Sequence, residues 1–329
     1  MKKLPLIIAA FAAATSALFA QTLNVTAPGY SGVKLFNSTP GFTITGMGAD
    51  SSGSVYYLET DGSFAANTKL YKRTAAGGYA TATPLFDYGS VLFGSFVTVQ
   101  AGKVYFGESS TNTIRSINSD GTSPALIGTV VGNYDLAFTG GSAFVSANPD
   151  TTFTNPQNKV LKLNLGTGAT QTVLDATPDF SGPIEFDASG NLIYGVAKST
   201  IGGIYRYSAA QVATALATTP IVLTPPTGRV IANGGNQYLA YAGGSSLWQD
   251  DSNTPGSLRN YDLGTASATT VATTPQFVGQ LDYAGATLYA NVTNFATNQS
   301  AVFGVVPEPS SALLLALAAA GLAARRRRK

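Results

Sequence analysis

Residues 187–194 read Asp-Ala-Ser-Gly-Asn-Leu-Ile-Tyr, a tight turn that leads into a short apolar strand. Asp accepts backbone hydrogen bonds at the start of such a turn, and Gly adopts the left-handed conformation that many turns require. A glycine followed by an apolar or aromatic strand recurs six times, at Gly53, Gly102, Gly141, Gly190, Gly235 and Gly285. Their spacing of 39 to 50 residues is typical of one four-stranded blade, so the pattern predicts a six-bladed β-propeller.

Neighbouring strands are predicted in phase with each glycine. Innermost strands are predicted ahead of it at residues 42–45, 96–99, 136–138, 184–186, 229–231 and 281–283. Third strands are predicted after it at residues 69–73, 113–117, 160–165, 204–207, 258–263 and 301–305. A fourth strand follows in five repeats, among them residues 170–174 and 221–223. The sixth repeat lacks one, and we expect residues 33–36 to supply it, which closes the ring and removes exposed sheet edges.

The repeat resembles that of NHL or SMP-30-like six-bladed propellers, in which an Asp-x-x-Gly-Asn turn joins the first two strands of a blade. Residues 187–191 match this turn best, and Asp50 and Asp282 hold the Asp position in partial copies. We expect these carboxylates, with that of Asp187, to stabilise turns. The resemblance spans residues 41–305 and predicts an all-β fold. A β-sandwich pair or a β-helix is the alternative.

The amino-acid composition excludes several catalytic mechanisms and one class of partner. The 329 residues include no Cys and no His, which excludes disulfides and the Ser-His-Asp, Cys-His and HExxH mechanisms. Seven of the 19 basic residues lie at the two ends, but only Glu308 of the 17 acidic residues does, so the body carries 12 basic and 16 acidic residues. An acidic body without basic clusters argues against nucleic acid as a partner.

Residues 1–20 have the pattern of a secretory signal peptide. Lys2 and Lys3 precede a mostly apolar run that ends in small residues, so we expect cleavage between Ala20 and Gln21. This signal directs the chain to the Sec translocon and makes residues 21–305 the exported body. A buried or amphipathic helix is the alternative, which the lack of a polar face in the run disfavours.

The other end, residues 306–329, has three parts. Val306, Pro307, Glu308 and Pro309 precede an Ala- and Leu-rich segment, and the chain closes with Arg325, Arg326, Arg327, Arg328 and Lys329. A transmembrane helix over residues 310–324 is about 22 Å long, short of the roughly 30 Å hydrocarbon core, but arginines can snorkel and the bilayer can thin. The basic cluster is expected to stay in the cytoplasm. The tail therefore predicts a transient anchor in the inner membrane.

This tail resembles the PEP-CTERM sorting signal of Gram-negative bacteria, in which Pro-Glu-Pro precedes an apolar segment and an Arg cluster. The resemblance implies recognition by an exosortase, a membrane-embedded protease, and removal of the tail near Pro307, Glu308 and Pro309. It also implies delivery of the body to the cell surface or extracellular matrix, where exopolysaccharide is a candidate partner. A plain tail anchor or a hydrophobic terminal helix is the alternative.

Channel carboxylates are the first candidate ligands. In the lactonase-like propellers that the body resembles, such carboxylates hold a divalent metal and activate water. The resemblance implies Glu185, Asp135 and Asn133 as an equivalent set of oxygen ligands, a chemistry suited to Ca²⁺. Ordinary solvated side chains are the alternative interpretation.

A second candidate lies at residues 243–255, which are predicted to form a loop. Trp248, the single tryptophan, lies there beside Asp250 and Asp251. An aromatic side chain next to acids can stack on a sugar, the Asp pair can bind Ca²⁺, or the ring can cover its own blade.

The sequence assigns no catalytic residue and no cofactor. We therefore expect an exported, non-enzymatic binding or structural module. The alternative is a lactonase-like propeller hydrolase or lyase with a metal in the central channel.

Overall fold

The computed structural model describes residues 21–61, 67–89, 93–150, 155–177, 179, 182–250 and 255–308. Six sheets account for nearly all the regular structure of these residues and form the blades of a propeller. Strands are numbered along the chain, and β1 (Asn24–Val25) and β2 (Tyr30–Asn37) precede the first blade. The innermost strand of each blade contacts that of the next, and the last contacts the first, so the ring is closed.

The first three blades follow one another along the chain, and each is named from its innermost strand outwards. Blade 1 contains β3 (Phe42–Ala49), β4 (Val55–Asp61), β5 (Lys69–Arg73) and β6 (Thr83–Asp87). Blade 2 contains β7 (Gly94–Gln100), β8 (Lys103–Glu108), β9 (Thr113–Asn118) and β10 (Ala125–Thr129). Blade 3 contains β11 (Asn133–Thr139), β12 (Ser142–Ala147), β13 (Lys159–Leu163) and β14 (Thr170–Asp175).

The last three blades include two departures from this order. Blade 4 contains β15 (Ile184–Phe186), β16 (Leu192–Val196), β17 (Gly203–Tyr207) and β19 (Arg229–Ile231). Blade 5 contains β20 (Leu239–Gly243), β21 (Ser246–Asp250), β22 (Gly256–Asp262) and β23 (Ser267–Thr274), with β1 added at its edge. Blade 6 contains β24 (Phe277–Ala284), β25 (Thr287–Asn294), β26 (Gln299–Pro307) and, outermost, β2.

A helical insertion separates β17 from β19. Helix α1 (Ala209–Ala217) begins at Ser208, whose hydroxyl accepts a hydrogen bond from the Gln211 backbone N–H while the Gln211 side chain accepts one from the Ser208 N–H. The helix buries Val212 and Ala215 against the core that blades 3 and 4 share. Strand β18 (Ile221–Val222) then pairs in parallel with β14. A short 3₁₀ turn (Ser199–Ile201) joins β16 to β17.

This insertion makes part of the sequence prediction wrong. The sequence predicts residues 221–223 at the outer edge of blade 4, but β18 lies at the edge of blade 3. The sequence predicts residues 229–231 as the innermost strand of blade 5, but β19 is the outermost strand of blade 4. The turn between the first two strands of blade 5 contains Gly243 and Gly244, not Gly235. The prediction gave every repeat the same four strands, whereas residues 209–222 add a helix and an extra strand.

The amino-terminal strand closes blade 6. Strand β2 pairs antiparallel with β26, and Lys34 lies opposite Phe303. Residues 33–36 fall in β2, as the sequence predicts. Phe36 is buried there, and its ring centroid lies 5.1 Å from that of Tyr57 in blade 1. The predicted all-β propeller with six four-stranded blades is confirmed, and the sandwich and β-helix alternatives are wrong.

Glycines allow the innermost strands of blades 1 and 2 to approach closely. A Cβ atom added to Gly46 would lie 2.8 Å from the carbonyl carbon of Phe96, and one added to Gly48 would lie 2.7 Å from the carbonyl oxygen of Val97. Side-chain atoms do not tolerate such distances from neighbouring backbone. The spacing of blades 1 and 2, and with it the width of the central channel, therefore depends on Gly46 and Gly48 having no side chains.

Candidate functional site in the central channel

The channel between the innermost strands holds a cavity of about 510 Å³. It lies where these strands end, and carboxylates from three blades line it: Asp135 on β11, Glu185 on β15 and Asp282 on β24. We call it the acid cavity. No Lys or Arg is among the described residues that line it. The three side chains are partly exposed, and the surface that they expose faces the channel.

Two of these carboxylates connect neighbouring blades. The Oδ2 atom of Asp135 accepts a hydrogen bond from the Ile184 N–H at 2.8 Å, and its Oδ1 atom accepts one from the Leu136 N–H. Asp282 accepts in the same way from the N–H groups of Ala49, at 2.5 Å, and Tyr283. In each case one oxygen binds the innermost strand of the next blade. Thr98 makes a third connection by donating its hydroxyl to the Leu136 carbonyl at 2.7 Å.

The acid cavity favours protonated carboxyl groups. Burial raises the pKa of both Asp135 and Asp282 to about 6, although their backbone N–H donors pull the pKa down. Burial also raises the pKa of Glu185 well above its ordinary value, and the charges of Asp135 and Asp282 raise it further. These groups titrate as a coupled set. The cavity therefore loses negative charge as the pH falls through about 6.

The structure brings only two of the three predicted metal ligands, Glu185 and Asp135, to one cavity. Asn133 is buried outside the acid cavity, where its amide nitrogen donates to the carbonyls of Glu108 and Val130 at 2.8 and 3.1 Å and its oxygen accepts from the Ser95 hydroxyl. Among the described residues, no three Asp or Glu side chains lie close enough together to hold a metal ion. Both carboxylate oxygens of Asp135 already accept backbone hydrogen bonds. This donor set does not fit Ca²⁺, which takes six to eight oxygen ligands.

The prediction of a loop around Trp248 is wrong, but of the three interpretations of its ring the structure bears out the one in which the ring covers its own blade. Trp248 lies in the second strand of blade 5, is 2% exposed, and packs edge-to-face with Tyr30 at 5.6 Å. Asp250 is fully buried, and its Oδ1 atom accepts from the N–H groups of Gln237 and Tyr238 at 3.0 and 2.8 Å. Asp251 lies outside the described residues. Residues 247–250 of the segment are therefore core of the blade.

The three repeated Asp residues do not share one role. Asp50 accepts hydrogen bonds from the N–H groups of Ser52 and Ser54, and Asp187 does the same for Ser189 and Asn191, as expected for turns. Asp282 faces the channel instead. The sequence does not identify Asp282 as a channel residue, because Asp50, Asp187 and Asp282 have the same spacing from the following glycine and are all predicted to stabilise turns. The alternation of β24, which places Gln280 and Asp282 on one face, was the available signal.

Tyr134, Tyr238 and Gln280 line the inner end of the acid cavity. The tyrosine rings stack with centroids 6.2 Å apart, and the Tyr134 hydroxyl donates to the Gln237 carbonyl at 2.7 Å. The Gln280 amide donates to the Tyr238 hydroxyl at 3.2 Å and to the Thr45 carbonyl. Tyr238 and Gln280 also line a second cavity on their far side, so they divide the channel.

The predicted sorting segment begins inside the propeller. Val306 and Pro307 end β26 and pair with Ser31 and Tyr30 of β2, and the Glu308 N–H donates to the Gly29 carbonyl at 2.8 Å. All three residues of this segment are exposed. Pro309, the predicted helix at 310–324 and the basic cluster at 325–329 lie outside the described residues, as does Ala20. Gln21 is described and is buried.

No helix in the described ranges is both long and apolar enough to span a bilayer. No curated protein matches the chain. Residues 305–328 match the PEP-CTERM protein-sorting motif.

Solved structures resemble the body in fold. A gluconolactonase from Xanthomonas campestris superposes with a TM-score of 0.61 at 13% identity, covering 87% of this chain and 96% of its own. The PQQ-bound aldose sugar dehydrogenase of Streptomyces coelicolor gives 0.56 at 12% identity, with 87% and 98% coverage. A chain of a nidogen/laminin complex gives 0.56 at 13% identity, with 80% and 98% coverage. The protein thus combines a six-bladed β-propeller similar to these structures with a carboxy-terminal PEP-CTERM sorting motif.

Proposed function

We propose that the protein is exported, sorted by an exosortase, and acts at the cell surface or in the extracellular matrix as a non-enzymatic binding module. The observation that carries the proposal is the position of the sorting motif. It begins at residue 305, within the last strand of the propeller, so that all of the ring except the end of β26 precedes it. The propeller is therefore the cargo that the motif delivers.

In this proposal, residues 1–20 direct the chain through the Sec translocon and are removed before Gln21. Residues 310–324 then hold the chain in the inner membrane while residues 325–329 stay in the cytoplasm. The exosortase removes the tail near Pro307, Glu308 and Pro309. Exposure of Val306, Pro307 and Glu308 supports this step, because a protease needs access to its substrate.

Replacement of Pro307, Glu308 and Pro309 by Ala tests the sorting step. Full-length wild-type and variant chains are expressed in a host that contains an exosortase, and mass spectrometry measures the product in each fraction. We expect the wild type to lose its tail and the variant to remain in the inner membrane at full mass after signal cleavage. A variant released at the wild-type mass would refute sorting. The melting temperature of the variant controls for damage to the end of β26.

The hydrogen bonds of the acid cavity support a non-enzymatic role. Asp135 and Asp282 each accept two backbone N–H bonds, and one of the two connects adjacent blades. Carboxylates used in this way hold the fold and are poorly placed to bind or activate a substrate. Together with the absence of His and Cys, this leaves few groups for catalysis.

A hydrolase or lyase is the second candidate function, because Glu185 combines a raised pKa with a cavity large enough for a small substrate. Hydrolysis of glucono-lactone, measured with Ca²⁺ and with EDTA, separates the two proposals. The binding module predicts no rate above that of buffer in either case. Hydrolysis that Glu185→Gln abolishes would replace the binding module with the enzyme.

A further inference from the structure

The amino-terminal segment connects blades 5 and 6 beside the start of the sorting motif. Strand β1 adds to the edge of blade 5, and β2 forms the outermost strand of blade 6. Pro28 and Gly29 turn the chain between these two strands, and Gly29 has a φ of 81°, the combination that a type II turn uses. Tyr30 then packs edge-to-face on Trp248 of blade 5. We call residues 24–31 the clasp, because they attach to both blades.

The clasp pairs with residues 306–308 of the sorting motif, which we call the sorting segment. Tyr30 lies opposite Pro307, and Ser31 lies opposite Val306, in the antiparallel register of β2 and β26. Antiparallel strands hold each other extended through backbone hydrogen bonds. The sorting segment therefore leaves the propeller as an extended and exposed chain.

Backbone hydrogen bonds to the clasp alternate along the sorting segment. The Glu308 N–H donates to the Gly29 carbonyl at 2.8 Å, which makes these two residues a hydrogen-bonded pair. Such pairs alternate with non-bonded ones in an antiparallel ladder, so Pro307 lies in a non-bonded pair and Val306 in a bonded pair. Proline has no N–H, and Pro307 occupies the position whose N–H would face away from the clasp. The clasp therefore loses no hydrogen bond to this proline.

In the part of the chain that the structure describes, the other edge of the sorting segment has no strand beside it at Pro307. The pairing of β26 with β25 ends at Val305, opposite Leu288. The Pro307 carbonyl faces this open edge, because it points away from the clasp. The clasp thus takes one edge of the sorting segment and leaves an acceptor exposed on the other.

An extended peptide with an open edge can pair with a strand of a partner. A segment that is already extended loses less conformational entropy on binding than a flexible one. In sequence, only Pro309 separates the sorting segment from the predicted membrane helix at residues 310–324, so a membrane-embedded protease meets the segment at the surface of the body. The clasp is therefore suited to prepare the segment for that protease.

We propose that the clasp holds the sorting segment extended for the exosortase, and that the open edge at Pro307 is the surface on which the exosortase docks. The proposal rests on the sorting step proposed above. It adds a positioning role for the amino-terminal strand, which lies almost a whole chain length away from the motif in sequence. Gly29 and Ser31 are the residues through which this role can be tested.

Hydrogen exchange of the full-length chain in detergent, resolved by residue with mass spectrometry, tests the clasp without an exosortase. We expect the amides of Val306 and Glu308 to exchange at least about tenfold more slowly than in a free peptide of the same sequence. Gly29→Ala strains the turn, because alanine disfavours a φ of 81°, and should speed exchange at Glu308. Ser31→Pro removes the N–H that faces Val306 and should speed exchange at both amides.

The rate of tail removal tests the role of the clasp. Full-length chains are expressed in a host that contains an exosortase, and pulse–chase labelling follows the loss of the tail. We expect Gly29→Ala to slow the loss several-fold and Ser31→Pro to slow it about tenfold, because the segment is no longer held extended. Gly29→Ala keeps the test decisive if Ser31→Pro fails to fold, since the added Cβ meets nothing within 4 Å.

Two control variants match these changes. Gly102→Ala places the same side chain at a φ of 77° in blade 2, where an added Cβ also meets nothing within 4 Å. Ser31→Ala removes the hydroxyl but keeps the N–H that faces the sorting segment. Both should lose the tail at the wild-type rate. The melting temperature of every variant shows whether the body itself has been damaged.

Loss of the tail at the wild-type rate in both clasp variants overturns the proposal, as do unprotected amides in the wild type. Faster loss also overturns it, because it would show that the clasp masks the segment. The proposed function survives these results if the wild type loses its tail and the Pro-Glu-Pro variant keeps it. A wild type that keeps its tail, or a Pro-Glu-Pro variant that loses it, refutes the sorting step and the role of the clasp with it.

Discussion

The Oδ2 atom of Asp135 accepts a hydrogen bond at 2.8 Å from the backbone N–H of Ile184, the first residue of the innermost strand of the next blade. Asp282 has the same relationship to Ala49, across the junction of blades 6 and 1. A side chain of one blade thus satisfies the main chain of the next. The acid cavity is therefore part of what holds the ring together.

Asp135→Ala should lower the free energy of unfolding by about 2 kcal/mol, because the N–H groups of Ile184 and Leu136 lose their acceptor. Urea denaturation measures the change. Asp120→Ala is the control, since Asp120 is exposed and its bonds lie within one turn. Equal losses in the two variants would show that the connection between blades adds nothing.

The melting temperature should rise as the pH falls from 7 to 5. The pKa values of Asp135 and Asp282 rise from 3.8 to about 6 on folding, so between about pH 4 and pH 6 the folded protein holds protons that the unfolded chain releases. Proton binding in this window stabilises the folded state, and the stabilisation is lost as the pH rises through 6.

Calorimetry of the double variant Asp135→Asn, Asp282→Asn checks that these two carboxyl groups cause the pH dependence. The melting temperature of the variant should change less steeply between pH 5 and 7. Asp120→Asn should retain the wild-type slope. A wild-type melting temperature that falls on acidification from pH 7 to 5 would contradict the assignment.

Gly48→Ala should destabilise the protein by about 1–3 kcal/mol, since the new Cβ atom would lie 2.7 Å from the Val97 carbonyl oxygen and force blades 1 and 2 apart. Thermal unfolding measures the loss. Gly234→Ala is the matched control, because an added Cβ meets nothing within 4 Å there. Similar stability of both variants would mean that the blade junction tolerates separation.

Phe36→Ala should cost about 3 kcal/mol or more, because Phe36 packs on Tyr57 and lies under the Arg73 guanidinium at 4.8 Å. Val33→Ala on the same strand should cost far less, since Val33 is 60% exposed. Denaturant unfolding of both variants measures the difference. A neutral Phe36→Ala would show that the strand closing the ring adds little to stability.

The sequence was sufficient for the fold where each repeat obeyed the same period. Residues 33–36 were predictable as the closing strand, because five repeats showed what the sixth lacked. The fifth repeat was not predictable in this way. Helix α1 and strand β18 are inserted before β19, so the strands as far as Gly243 come later in the sequence than the repeat predicts. A period inferred from glycine spacing does not detect an insertion of nearly the length of two strands.

The site was less predictable than the fold. Glu185 and Asp135 were expected in the channel and do line it, but Asn133 differs because its side chain turns to Glu108, Val130 and Ser95. Trp248 lies in a strand and not in the predicted loop, because the helical insertion shifts the phase of its blade. The hydrogen bonds from Asp135 and Asp282 to the next blade depend on which groups face each other in three dimensions, and residue order alone carries no such information.

Strand β26 has hydrogen-bonded neighbours on both sides, β25 and β2. Tension applied through the tail acts along this strand, so both ladders resist it in shear and many bonds share the load at once. A body held at its carboxyl-terminal end, as in the transient membrane anchoring proposed above, is thereby protected against being pulled apart there. The same strand that completes the ring makes the attachment mechanically strong.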